Sequence, residues 1–214
     1  MPQRDEDNLV VLKDKILKMG ALVEAQLADA MKSLVETDLT LARKTIQNDH
    51  IVNEMDEAID EECIRLLTQS TAGDLRFITT AMKIATDLER ISDLSKDICE
   101  KAIELFHEPL LKPYIDLPRM AEAARKMIRE VLDAFVNRDA ELARKVCADH
   151  AFLNNLNDHI FRELLAYMVE DSGTITRAIQ ISFISKYIER MGECTTDVAE
   201  TVIYLVEGKN ASPN

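Results

Sequence analysis

The chain has 214 residues, 47% of them hydrophobic, with only five glycines, five prolines and 5% aromatics, a balance that favours helices over sheets. Its 26 basic against 39 acidic residues leave a net charge of −13, which repels phosphate backbones and anionic lipid, so neither nucleic-acid binding nor direct membrane insertion is expected. No stretch approaches the run of about 18 apolar residues that a transmembrane helix needs, and the polar start MPQRDEDN lacks the basic and apolar regions of a signal peptide. The cytoplasm is therefore the expected compartment.

Residues 8 to about 35 form the first predicted helix, with Leu9, Leu12, Ile16, Met19, Val23, Leu27, Ala30 and Leu34 recurring at steps of three and four. Thr37-Asp38 breaks the pattern and offers an N-cap for a second helix that runs to about Gln69, with Val52, Met55, Ile59, Cys63 and Leu66 on its core face. A turn at 70–74 contains Gly73, and Asp74 or a neighbour is the expected cap of a third helix, which ends near Phe106. The stretch HEPLLKPYIDLP holds three of the five prolines and is assigned as a linker, residues 108–118, between an 8–107 half and a 119–208 half. Helices from Arg119 to Val136, from about Asp139 to Val169 and from the 171–174 turn to Val206 follow. Gly208 stops the last, and the tail 209–214 is expected to be disordered.

The halves repeat one another. MKSLVETDLTLARK (31–44) aligns with LDAFVNRDAELARK (132–145) at an offset of 101, and TDLERISDLSKDICEKAIEL (86–105) aligns with KYIERMGECTTDVAETVIYL (186–205) at 100. Three amphipathic helices with short connections bury their stripes by forming an antiparallel bundle, so the expected fold is all-α, two tandem antiparallel three-helix bundles.

Both copies of the duplicated helix carry acids at i, i+4, i+8 and i+11: Glu89, Asp93, Asp97 and Glu100 in one, Glu189, Glu193, Asp197 and Glu200 in the other. That spacing puts them on one helix face, opposite Ile84, Leu88, Ile91, Ile98, Ala102 and Leu105 in the first copy. The second helix adds Asp49, Asn53, Asp56 and Asp60 beside its core face, and the fifth helix has His150, Asn154, Asn157 and Phe161 at the matching positions. Oxygen donors on two neighbouring helices suit a hard or borderline cation such as Mg²⁺, Mn²⁺ or Fe. On spacing alone, the wet face of an ordinary surface helix is the favoured account. The stripe is nonetheless nearly all carboxylate, and like charges four residues apart repel by about 0.2–0.5 kcal/mol per pair, which a cation would relieve. Other chemistry has less support. Glu104-x-x-His107 lacks the second copy a di-iron centre needs, His50, His150 and His159 have no nucleophile partner, and no glycine-rich phosphate loop occurs. The four cysteines, Cys63, Cys99, Cys147 and Cys194, stand apart without a CxxC pair and read as free thiols. No enzyme activity is expected.

At the acid stripes the chain resembles the PhoU family, regulators of high-affinity phosphate uptake and its signalling. The resemblance extends through LKDKILKMGALVE (12–24), GDLRFI (73–78), DLERISDLSKDICE (87–100), FRELLAYMVED (161–171), TITRA (174–178) and YIERMGECTTDVAETVIYLVEGK (187–209). It implies a cytoplasmic, non-catalytic negative regulator, an adaptor between the ATPase of the phosphate ABC transporter and the phosphate-sensing histidine kinase, with a homodimer expected. The alternatives kept beside it are an accessory of a low-affinity phosphate permease and a carboxylate-bridged metal-binding or storage protein. The resemblance also implies metal clusters (Fe, Mn, Mg or Zn) on paired E/DxxxD motifs, which fall here on Glu89 with Asp93, Asp49 with Asn53, Glu189 with Glu193, and His150 with Asn154. Ser92 stands where the family motif has glycine, Glu193 where it has aspartate and Cys194 where it has histidine. The second half has fewer anionic oxygens, so the first is the expected metal-binding half.

Overall fold

Six long helices carry the chain: α1 (Pro2–Val35), α2 (Leu39–Leu67), α3 (Ala72–Leu105), α4 (Asp116–Asn137), α5 (Ala140–Glu170) and α6 (Ile175–Glu207). The computed structural model describes residues 2–68 and 72–208, with side chains described from 9 to 68 and from 75 to 208; no strand occurs among them. The caps explain the boundaries. The Asp38 carboxylate accepts from the backbone N–H groups of Thr40 and Leu41, and Asp139 does the same for Glu141 and Leu142 one repeat later. Asp171 accepts from the Gly173 N–H in a short 3₁₀ turn, Ser172–Thr174, and Gly208 closes α6 at φ 69°, in the left-handed region where glycine carries no penalty.

Three boundaries differ from expectation. The first helix begins at Pro2, where a proline's missing N–H costs nothing. Asp74 lies inside α3, which begins at Ala72, and the preceding turn residues 69–71 fall outside the described residues, as does the tail 209–214. Pro118, assigned to the linker, stands in the first turn of α4, where its lost donor would have had no helical partner. The non-helical connection is thus 106–115.

Helices α1, α2 and α3 pack on one another, as do α4, α5 and α6, and α3 also lies along α6 while α1 lies along α4. The halves therefore share one continuous apolar core. Phe77 of α3 stacks on Phe135 of α4 with ring centroids 4.9 Å apart, and both are fully buried. Sandwiched between α2 and α6, α3 buries Thr80, Asp87, Ser92 and Ser95 as well as its apolar stripe, so its polar side is far from a plain wet face.

The α1–α4 approach is close at Gly20, where an added Cβ would sit 2.1 Å from Leu132 Cδ1. Gly20→Val is expected to lower the free energy of urea unfolding by about 1–3 kcal/mol, and Leu132→Ala in the same chain should recover part of that loss. An unchanged unfolding midpoint in the single variant would refute this packing.

Candidate functional site

In the first half the groove between α2 and α3 collects charge. Asp49 is buried on α2, with Ser92 Oγ 2.9 Å from its Oδ1 and the Lys96 ammonium donating to its Oδ2 at 3.2 Å. Ser92 Oγ also lies 2.6 Å from Gln26 Oε1. Burial raises the Glu89 carboxyl above its ordinary value, reinforced by the charges of Asp93, Asp56 and Asp49. Asp56 is raised for the same reasons, by burial and then by Asp60 and Glu57. Asp49, Asp56, Glu89 and Asp93 thus face one groove, with Lys96 also 3.8 Å from Asp93. Asn53 is exposed at its edge.

The remaining acids of the stripe turn away. Each four-residue step rotates about 40° around a helix, so by Asp97 the stripe has swung toward α6, where it meets Tyr187. Burial, then Glu100 and Asp93, raise Asp97, while Glu100 itself is exposed. On α6 the same drift carries Asp197 toward α3, where its charge acts on Asp87, and Glu200 is exposed and acts on Cys147 of α5.

The second groove, between α5 and α6, is built differently. His150 takes the place of Asp49 and packs on Gly192, where a Cβ would lie 2.7 Å from the imidazole Cδ2. The two departures between the halves are coupled. The small Asp49 leaves room for the Ser92 hydroxyl that binds it, whereas the larger His150 requires glycine opposite. His150 Nε2 is buried without a hydrogen-bond partner among the described residues. Asn157 accepts from the Ser185 hydroxyl at 2.6 Å, and Asn154 is exposed. Lys186 donates to the buried Glu189 and lies 4.0 Å from Glu193, so one ammonium spans both acids of that motif.

In the first groove Asp49 and Asp93 already share the Lys96 ammonium, while Asp56 Oδ1 and Asp60 Oδ1 are buried and unpartnered among the described residues. Carboxylate oxygens are the donor type a hard divalent cation takes, but no three of these acids bring ligand atoms within 4.8 Å of one another. The second groove has fewer anionic oxygens, and Lys186 already offsets them. Elsewhere, Asp116, His159 and Glu163 bring three potential ligand atoms within 4.8 Å, a trio the spacing analysis missed. The His159-x-x-x-Glu163 step on α5 was its only sequence signal, because Asp116 comes from the start of the neighbouring helix α4. Both carboxylates there already have cationic partners, Arg119 at 2.8 Å on Asp116 and Lys112 on Glu163. The cysteines are free, and burial pushes the Cys63 and Cys99 thiols up to about 12, which suits packing and not reactivity. A cavity of about 150 Å³ lies away from both grooves, beneath the 106–115 connection and against Leu34, Phe106, Tyr114 and Arg177.

Comparison with known proteins accounts for this duplicated arrangement. The PhoU domain model matches twice, over residues 16–102 and 117–202. The chain is 37% identical over 216 aligned residues to the phosphate-specific transport system accessory protein PhoU homolog of Clostridium acetobutylicum, covering 98% of this chain and 97% of that one. It is 35% identical to the phosphate-specific transport system accessory protein PhoU of Escherichia coli, covering 93% and 83% respectively. The crystal structure of PhoU from Pseudomonas aeruginosa superposes with a TM-score of 0.90 at 36% identity, covering 95% of this chain and 99% of that one. With both repeats matched at the positions where the two grooves lie, the chain belongs to the PhoU family.

Proposed function

We propose that the chain is a negative regulator of phosphate uptake and phosphate-starvation signalling, working as a cytoplasmic adaptor between the ATPase of a phosphate ABC transporter and a phosphate-sensing histidine kinase. The observation that carries this reading is the near full-length match, through both repeats, to proteins named as accessories of phosphate-specific transport. Among the described residues no helix is long and apolar enough to cross a membrane. On this reading, contact with a transporter runs through its soluble parts. The net charge of −13 suits basic patches on such partners. Deleting the gene in its host should leave alkaline phosphatase expressed in high phosphate. Repression that persists in the deletant would overturn the proposal.

The first groove supports a metal-dependent refinement of the same reading. Asp49, Asp56, Glu89 and Asp93 would hold a divalent cation, and the ion would add to the single Lys96 charge that now serves Asp49 and Asp93. Mn²⁺ is therefore expected to raise the melting temperature of the metal-stripped protein, as any ligand selective for the folded state does. Glu89→Gln should abolish most of that rise, and Glu189→Gln should leave it in place. Equal losses in the two variants would count against a first-half site.

A further inference from the structure

The duplicated halves differ sharply at one surface. On α5, Phe161, Leu165 and Val169 are exposed at steps of four, and on α6, Ile175, Ile179 and Phe183 repeat the same spacing. The hydrogen bond from Ser185 to Asn157 marks the seam between these helices. Counting around each helix from that bond places Phe161, Leu165, Val169, Ile175 and Ile179 on the outer side of the seam, at the end closed by the 171–174 turn. Phe183 falls instead on the far side of α6, stacked on Tyr187 and 5.7 Å beneath the Lys101 ammonium of α3. Val169 is 81% exposed and Phe161 51%. In the first half the repeat puts Asp60, Thr68 and Thr79 where the second has Phe161, Val169 and Ile179, and keeps Ile64 and Leu75 where the second has Leu165 and Ile175. The first bundle forms without these three apolar side chains, so folding does not explain them. Contiguous exposed apolar surface with a polar rim marks an interaction site.

Charge selects the occupant. Asp158, one turn from Phe161, and Glu170 and Asp171, directly after Val169, are all exposed at the rim. Lys186, the nearby ammonium on α6, is already taken by Glu189 and Glu193. A second copy would bring another net charge of −13 to the same face. We propose that this outer α5–α6 seam docks an amphipathic helix of a partner protein, one with an apolar ridge flanked by lysine or arginine. The inference rests on the adaptor reading and names the face and the chemistry of one partner contact.

The test uses the full chain and a variant built from its own repeat: Phe161→Asp, Val169→Thr and Ile179→Thr together. Each new residue is the first-half equivalent, so the fold accommodates it. The one added negative charge would by itself favour a lysine-flanked peptide, so weaker binding reports the lost apolar contacts. The probe is a dye-labelled helical peptide of about 18 residues with leucines along one face and lysines beside them, followed by fluorescence anisotropy. The wild-type chain should bind it at least about tenfold more tightly than the variant does, and more tightly than it binds a glutamate-flanked or scrambled peptide. Equal binding by wild type and variant, or by the lysine and glutamate peptides, overturns the proposal. So does a wild-type dimer that the variant dissociates in sedimentation equilibrium, which would make a second copy the occupant. Flotation of the wild type, but not the variant, with phosphatidylcholine vesicles would overturn it in favour of a lipid surface. In cells, a deletant that loses repression while the variant keeps it overturns the docking face and leaves the adaptor reading standing.

Discussion

Phe135→Ala is expected to destabilise the whole chain by about 3–5 kcal/mol, the usual cost of emptying a large aromatic from a core that cannot collapse around the void. Phe135 is fully buried and stacked on Phe77, which is itself held between Lys13 at 5.4 Å and Arg138 at 5.8 Å from its ring. The pair joins α3 of the first half to α4 of the second, with α1 supplying the lysine above it. Removing it therefore loosens the contact between bundles as well as one bundle's interior. Because both halves share one core, wild-type unfolding in urea should be a single transition. The variant should unfold at lower urea and with an earlier loss of the second half. A loss of less than about 1 kcal/mol would mean that the halves fold independently and that the aromatic stack is incidental.

That coupling between halves is what periodicity was least able to reveal. An apolar stripe such as Ile84, Leu88, Ile91 and Ile98 states that a face is buried, and all four are; it does not state what buries it. The caps Asp38 and Asp139 were readable because a carboxylate two and three residues ahead of free N–H groups acts locally. The long-range placement of α3 against α6 depends on side chains 100 residues apart and leaves no local mark. The same limit applies to the grooves. The repeat pointed to α2 with α3 and α5 with α6, pairs that do pack on one another, but an i, i+4, i+8 stripe does not stay on one side. It drifts, so Glu89 and Asp93 meet Asp49 while Asp97 leaves for Tyr187. The exchange of Asp49 with Ser92 for His150 with Gly192 looks in the sequence like two unrelated departures from a motif. In the fold each pair is a single fit between neighbouring helices.

Asp87→Asn is expected to stabilise the protein at neutral pH, against the usual direction for a buried polar substitution. Asp87 sits on α3 facing α6, buried, with Arg90 donating to its Oδ1 at 3.1 Å and Asp197 and Cys194 across the interface. Burial pushes its carboxyl up to about 6, with Arg90 opposing and the Asp197 charge adding to the rise, from the 3.8 it has when free. The folded state therefore holds this proton more tightly than the unfolded chain does. Its contribution to stability is fully present below pH 3.8 and is lost as the pH rises through 6. Across that window the loss is about 3 kcal/mol. Asp56, Glu89 and Asp97 are raised as well, so they slope the same way. Urea unfolding of the wild type should accordingly show stability falling between pH 4 and pH 7. Asn keeps an acceptor for Arg90 and has no charge to desolvate. The variant should match the wild type near pH 4 and exceed it at pH 7.5 by as much as about 3 kcal/mol. An unaltered pH slope in the variant would show that Asp87 ionises freely, and that the α3–α6 interface opens to water at this point.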